Sequence, residues 1–233
     1  MSQLGDTTNM RATSLKRLAA RLPHPIQQEL KRLRYHWQIR RHTFVPPEPE
    51  FQFVDSVVGA GDWVIDVGAN VGHYAKRFSD LVGAEGRVIA IEPVPETFAL
   101  LAANVALFPL RNVTLLNVAA SNQATVLGIR IPNFETGLAN YYQASVTSGQ
   151  SSLQVMTLAL DSLAVPHPIK LVKVDAEGHD PLVLQGIDGI LRRDHPGLIV
   201  ETTSAVALEH LEALGYKSEK LPGSPNTVCR WQS

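Results

Sequence analysis

The sequence predicts an α/β fold, a doubly wound and mostly parallel sheet preceded by a helical arm. Three observations carry that expectation. Apolar runs of five or six residues at Trp63–Val67, Arg87–Ile91, 113–118, Ile169–Val174 and 197–201 are nearly continuous. Strands covered on both faces read this way, whereas half-exposed strands alternate. Between the runs lie segments with apolar residues at helical spacing, such as Phe98, Leu101 and Val105. Finally, the first run passes into a glycine-bearing turn, Asp66-Val67-Gly68-Ala69-Asn70-Val71-Gly72, where a strand-to-helix ligand site is expected.

In chain order, two helical segments are expected between residues 10 and 41. Leu15, Leu18 and Leu22 form one apolar row, and Pro23 breaks it. Pro25 then opens a second helix with Ile26, Leu30, Leu33 and Trp37 in a row. Pro46-Pro47-Glu48-Pro49 is a stiff connector, so residues 1–50 read as an arm and 51–233 as the main domain. Strands at Trp63–Val67, Arg87–Ile91 and 113–118 alternate with helices at 71–81 and about 96–108. Residues 121–157 break the rhythm. Segments 125–131 and 154–158 have strand character, while 133–152 is polar and holds a Tyr141-Tyr142 pair. This stretch reads either as a hairpin or irregular insertion that walls a substrate, or as a surface loop. The pattern resumes with a strand at Ile169–Val174, a helix at 181–192, a strand at 197–201 and a helix at 205–214. A closing hairpin, 217–221 with Thr227–Trp231, suits an antiparallel strand at the sheet edge.

Bulk properties narrow the function. With 233 residues, 45% of them apolar and 18% charged, the chain suits a globular domain with a substantial core. Cys229 is the single cysteine, so no internal disulfide exists and a reducing, cytoplasmic location is expected. No run reaches the length of a membrane span. Residues 1–45 carry nine Lys/Arg against two Asp/Glu, whereas the remainder is net −8. An acidic main domain argues against nucleic acid as substrate. The basic arm has three readings. Its apolar rows pack on the sheet domain, or they lie on an anionic membrane surface as a peripheral contact. Its acid-poor, Arg-rich start also faintly resembles a transit peptide, against which Asp6 and the prolines count.

The glycine turn is not the dinucleotide form, because Gly-x-Gly-x-x-Gly is absent. An acid, Asp66, precedes the first glycine, and a second strand about twenty residues on ends in Glu92-Pro93. A carboxylate beside the turn serves a pyrophosphate poorly and serves a cofactor with an ammonium and a sulfonium well. The turn therefore reads as an S-adenosylmethionine site. Asp66 would orient the methionine end, and backbone amides of Gly68, Ala69, Asn70 and Gly72 would receive its carboxylate. Glu92, with Pro93 beside it, would take the ribose hydroxyls, while Asn117 and Ala119 would frame the adenine. His73 would pack over the cofactor.

A second candidate region follows strand Ile169–Val174, in Lys173-Val174-Asp175-Ala176-Glu177-Gly178-His179-Asp180. Acids at the end of a strand lie where ligands bind in such sheets. Asp175, Glu177 and His179 are the candidate catalytic groups, standing where an acceptor hydroxyl must lose its proton. The bland alternative pairs Asp175 and Glu177 with Lys173 or Arg192 at the surface, and Asp180 reads as the N-cap of the next helix. No His/Cys cluster has metal-ligand spacing. A divalent cation would suit these carboxylates and is not required by the sequence.

The turn with His73-Tyr74, the block Gly86-Arg87-Val88-Ile89-Ala90-Ile91-Glu92-Pro93-Val94-Pro95 with Asn104, and Leu160-Asp161-Ser162-Leu163 leading to residues 173–178 together resemble FkbM-type methyltransferases. The resemblance covers roughly residues 55–205. It implies a Rossmann-like class I methyltransferase that uses S-adenosylmethionine to methylate a hydroxyl of a sugar, glycolipid or polyketide-type acceptor. His179-Asp180 departs from the family pattern, which more often has a small residue followed by glutamate. The competing readings are a nicotinamide oxidoreductase and an inactive cofactor-binding adaptor. The missing third glycine and the intact Asp175/Glu177 pair argue against them respectively.

Overall fold

A computed structural model describes residues 22–132, 134, 140, 144–147, 151, 153–202 and 204–232. The expected first helix with Leu15 and Leu18, the Tyr141-Tyr142 pair and most of the polar 133–152 stretch lie outside these residues. In chain order come helix α1 (His24–Arg40), helix α2 (Phe51–Val57), strand β1 (Trp63–Val67), helix α3 (His73–Val82), strand β2 (Arg87–Ile91), helix α4 (Pro95–Val105) and strand β3 (Val113–Leu116). Short strands β4 (Ala119–Ala120), β5 (Thr125–Arg130), β6 (Ser145–Thr147) and β7 (Leu153–Leu158) follow. The chain ends with β8 (Ile169–Val174), α5 (Asp180–Gln185), α6 (Asp188–Asp194), β9 (Gly197–Val200), α7 (Ala205–Ala213), β10 (Tyr216–Lys220) and β11 (Thr227–Trp231).

The main sheet has strand order β10-β11-β9-β8-β1-β2-β3. The five strands from β9 to β3 run parallel, and β11 pairs antiparallel with both β9 and β10. Alternate side chains feed two cores, as the period of two requires. Ile65 and Val67 of β1 join Val183, Leu184 and Leu191 on one side. Val64 joins Phe53, Phe78 and Leu101 on the other. Strand order reverses between β1 and β8, and the carboxyl ends of the strands around this switch point carry the candidate residues.

The terminal hairpin supplies the expected antiparallel edge strand, β10, with β11 inside the sheet. Three other expectations change. The single helix expected at 181–192 is two helices, because the chain turns at Gly186 and Ile187. A Cβ at Gly186 would overlap the carbonyl of Ser121, so the segment is pinned against the β4 loop there. The 121–157 stretch is neither a simple hairpin nor a loop. Its strands form a second sheet, β4-β7-β5-β6, in which β5 pairs antiparallel with β6 and β7.

The third change concerns α1. Tyr35 and Ile39, rather than the row Ile26, Leu30, Leu33 and Trp37, are its buried residues. They pack with Phe44, Val71, Leu100 and Phe108. Aromatic neighbours settle the choice, since the Tyr35 ring meets Phe44 edge-on with centroids 5.8 Å apart. Farther on, Glu50 is buried beneath the C-terminal hairpin and accepts hydrogen bonds from Ser224, Asn226 Nδ2 (2.6 Å) and Tyr74 (3.2 Å).

Candidate active site

A cavity of about 350 Å³ opens at the switch point, within the size range of small-molecule sites. Gly68, Asn70, Glu92, Pro93 and Val94 form one wall. Ala119, Ala120 and the second sheet, through Ile129, Ala144 and Val146, form another. Asp175, Ala176, Glu177, His179 and Glu201 close the third. The insertion is thus a wall of the site. Of the residues expected there, Gly68, Asn70, Glu92, Pro93, Ala119, Asp175, Glu177 and His179 line the cavity. Asp66, Ala69, Gly72 and Asn117 stand behind it.

The turn is held by its own hydrogen bonds. The N–H groups of Gly68 and Ala69 both donate to the Ile91 carbonyl, at 3.0 and 2.9 Å. Asn70 N–H donates to Glu92 Oε2 (3.0 Å), Val71 N–H to Asn70 Oδ1 (2.8 Å) and Gly72 N–H to the Ala69 carbonyl (2.8 Å). All five amides are engaged within the protein, so a cofactor carboxylate received there would share or displace these bonds. The glycines also serve packing. Gly68 (φ +72°) lies against the Asp175 backbone, and a Cβ at Gly72 (φ +97°) would stand 2.8 Å from Leu101 Cδ1. Asn70 adopts φ +49°, which its short amide side chain tolerates.

Glu92 is fixed at both oxygens, since Val94 N–H donates to Oε1 at 2.9 Å while Asn70 holds Oε2. Each oxygen keeps acceptor capacity for a ligand hydroxyl. Burial pushes its pKa up to about 7, against the pull of the two N–H groups. Of the pair expected to frame the adenine, Ala119 lines the cavity and Asn117 does not. Its Nδ2 donates to the Glu92 and Pro93 carbonyls, at 2.8 and 3.1 Å, and so sets the backbone beneath Glu92.

Asp66 is fully buried, and no side chain hydrogen-bonds its carboxylate, while the Ala75 N–H favours its charged form. Burial raises its pKa to about 6; the Asp175 charge adds to this and Lys173 opposes it. Lys173 is the cation of the site. Its buried Nζ donates to Asp175 Oδ2 at 3.0 Å and lies 4.9 Å from the Tyr74 ring centroid. Burial disfavours the ammonium, but Asp175 and Asp66 overcome this and raise its pKa. The Asp175–Lys173 pair is therefore buried at its Lys173 end and partly exposed at Asp175 on the cavity wall, while Arg192 pairs with Asp188 at 2.7 Å.

Glu177 sits in a left-handed conformation (φ +48°) followed by Gly178 (φ +89°). This tight loop keeps Glu177 on the cavity wall. Burial, then the charges of Asp175, Glu201 and Asp180, push its pKa up to about 7. The ring of His179 is 2.9 Å from Ser121 Oγ, and burial lowers its pKa, which favours the neutral imidazole. His179 also occupies the N-cap position of α5. Asp180 therefore does not cap that helix; its Oδ1 reaches back to accept from Ala176 N–H at 3.0 Å and ties the loop together. His73 does not cover the cavity. It packs against Phe44 and Tyr35, with centroids 4.6 and 6.2 Å away, and burial pushes its pKa down to about 4.

Sequence reasoning missed Glu201, which follows β9 and lines the cavity. The available signal was its position, since it closes a strand as Glu92 and Asp175 close theirs. The hydrophobic wall of Val94, Ile129 and Val146 was also missed, because it is built by pairing in the second sheet. Among the described residues, no group of three or more His, Cys, Asp or Glu is arranged to hold a metal ion.

These residues fit S-adenosylmethionine. A buried acid behind the turn with no side-chain hydrogen-bond partner suits a cationic ligand end, and Glu92 offers paired acceptors for vicinal hydroxyls. Val94 and Ala119 supply an apolar surface for a purine. The architecture is that of class I S-adenosylmethionine-dependent methyltransferases. The profile of the methyltransferase FkbM domain matches residues 66–218, and the chain belongs to that family.

Solved structures share the fold. The FkbM methyltransferase of Methylobacillus flagellatus is 14% identical with a TM-score of 0.51. That alignment covers 96% of this chain and 59% of the longer relative, so the chain spans less than two thirds of it. A protein from Streptococcus mutans assigned as a methyltransferase, solved with SAH, is 13% identical over 79% of this chain and 97% of its own, with a TM-score of 0.50. A protein from Clostridium thermocellum assigned as an rRNA methylase is 13% identical over 78% and 93%, also at 0.50. No curated protein matches significantly.

Proposed function

We propose that this methyltransferase acts on a hydroxyl group of a sugar, glycolipid or polyketide-type acceptor, with Glu177 as the base. The observation that carries the reading is the unequal treatment of three carboxylates on one cavity wall. Asp175 is ion-paired with Lys173, whereas burial and neighbouring acids set Glu177 near neutrality. A general base works best when its pKa lies near the operating pH. Glu201 stands by as a further acid and shares in raising Glu177.

Bound S-adenosylmethionine supplies an electrophilic methyl group and leaves as S-adenosylhomocysteine. Glu177 takes the proton from the acceptor hydroxyl as the new oxygen–carbon bond forms. Lys173 holds Asp175 at a fixed place beside Gly68, so the base loop and the cofactor turn keep one spacing. The concentration of acids disfavours phosphate or carboxylate groups at the acceptor's reacting end and suits neutral polyols.

The test incubates purified protein with methyl-labelled S-adenosylmethionine and a panel of sugars, glycolipids and hydroxylated polyketides. Label should enter an alkali-stable ether. Label found only in amines or carboxyl esters would sink the hydroxyl reading. Calorimetric titration with S-adenosylhomocysteine and NADH tests the cofactor separately, and only the former should bind.

A further inference from the structure

Helix α1 has two opposed apolar faces, and the domain uses one of them. At about 100° per residue, Ile26, Leu30, Leu33 and Trp37 fall within an arc of roughly 60°. Tyr35 and Ile39 lie about 170–210° away and are the residues buried against Phe44, Leu100 and Phe108. The other four are 47%, 48%, 56% and 56% exposed. On a water-facing helix, four large apolar side chains in line form a contiguous patch rather than scattered exceptions.

The flanks of this stripe are basic. Arg34 and Arg41 stand on one side and Arg40 on the other, all exposed. The Arg41 guanidinium lies 4.9 Å from the Trp37 ring centroid, at the end of the stripe. Glu29 is the only acid of the helix and pairs with Arg32 at 3.7 Å. Four more basic residues, Arg11, Lys16, Arg17 and Arg21, precede the helix, with Asp6 as the only acid there.

We infer that α1 docks the protein on an anionic lipid surface, its leucine–tryptophan stripe entering the headgroup–acyl boundary and its arginines meeting lipid phosphates. Charge complementarity selects this occupant, since Arg stems cover apolar surface while their heads reach anionic groups. The area argues against a second copy of the chain. Four half-exposed side chains offer on the order of 400 Å², against roughly 800 Å² per partner in a standard interface. No described helix is long and apolar enough to cross a membrane, so the contact is peripheral. Docking would be felt at the cavity, because the buried face of α1 packs on Val71, within the glycine turn, and on His73, just after it. The inference holds whatever acceptor is methylated.

The experiment co-sediments the full chain with vesicles of phosphatidylcholine alone or containing about a third phosphatidylglycerol. Wild type should pellet with the anionic vesicles at low salt and be released as salt rises. The double variant Leu30→Ser/Leu33→Ser should lose roughly tenfold or more in vesicle affinity, with S-adenosylhomocysteine binding retained. Arg34→Gln/Arg40→Gln/Arg41→Gln should lose roughly a hundredfold, at about fivefold per arginine. Should either variant fold poorly, quenching by brominated lipid gives an independent reading. Wild type should be quenched more than Trp37→Phe. Failure of wild type to pellet with anionic vesicles overturns the inference, as does equal pelleting of the serine variant. A wild-type dimer that the serine variant converts to monomer overturns it too, and assigns the stripe to self-association.

Discussion

Gly68 and Asp175 touch through their backbones: a Cβ at Gly68 would overlap the carbonyl oxygen of Asp175, and Asp175 N–H donates to Val67 O at 3.2 Å. The turn after β1 and the acidic loop after β8 are thus one unit. Gly68→Ala must both hold an alanine at φ +72° and push two strand ends apart. The expected loss is about 3 kcal/mol in urea unfolding, with cofactor binding lost at the same time. Gly178 is the control. It also has positive φ, but nothing lies within 4 Å of its Cβ position. Gly178→Ala should cost only about 1 kcal/mol. Equal losses for the two variants would remove the contact as the reason for Gly68.

Glu177→Gln and Asp175→Asn should fail differently. Removing the proposed base at Glu177 should lower turnover by roughly 10²-fold or more with cofactor affinity unchanged. The wild-type kcat should rise with pH through about 7 and lose that limb in Glu177→Gln, since the carboxylate form is the active one. Asp175→Asn instead leaves the buried Lys173 without its ion-pair partner, and stability should fall by about 3 kcal/mol. A Glu177→Gln enzyme with wild-type turnover and pH profile would move the base to His179.

Much of this was legible in the sequence, and the remainder fails for a common reason. Near-continuous apolar strands and strand-ending acids mark the sheet and bring Glu92, Asp175, Glu177 and His179 to one cavity. Features set by partners distant in sequence were not readable. Three turn amides are taken by the end of β2, Gly68 and Ala69 N–H by the Ile91 carbonyl and Asn70 N–H by Glu92, twenty-two positions on. The helix after β8 breaks at Gly186 because the Ser121 carbonyl stands against it. Helix α1 buries the face opposite its leucine row because Phe44, Leu100 and Phe108 receive Tyr35 and Ile39. Helix α2 has only seven residues, too few to show a helical period.

Glu92 should be the residue whose loss weakens the cofactor most directly. Its carboxylate anchors Asn70 and Val94 and retains acceptor sites at the cavity wall. Glu92→Ala should cost about 2 kcal/mol of S-adenosylhomocysteine binding, close to thirtyfold in Kd by calorimetry. Asn117→Ala, which frees the Glu92 and Pro93 carbonyls, should have a smaller effect of the same sign. A Glu92→Ala Kd within twofold of wild type would mean that the ribose is held elsewhere.

The buried acids also give the apo protein a pH-dependent stability whose sign can be worked out. Asp66 is raised from 3.8 to about 6 and Glu92 from 4.5 to about 7, both chiefly by burial. Between the unfolded and folded values the native chain holds protons that the unfolded chain has released. Stability therefore falls as pH rises through that window and levels off above about 7. His73 works the other way. Its pKa falls from 6.5 to about 4, so its burial is penalised at low pH and the penalty fades by pH 6.5. The two effects oppose each other below pH 6.5, and the acids act with little opposition from His73 above it. Urea midpoints of the apo protein should thus decline between pH 6.5 and 8, by on the order of 1 kcal/mol. Saturating S-adenosylmethionine should flatten the decline, because its positive charges favour the ionised acids. An apo midpoint that climbs across this interval would show that Asp66 and Glu92 are ionised well below neutrality and that the cavity is more open to water than its geometry indicates.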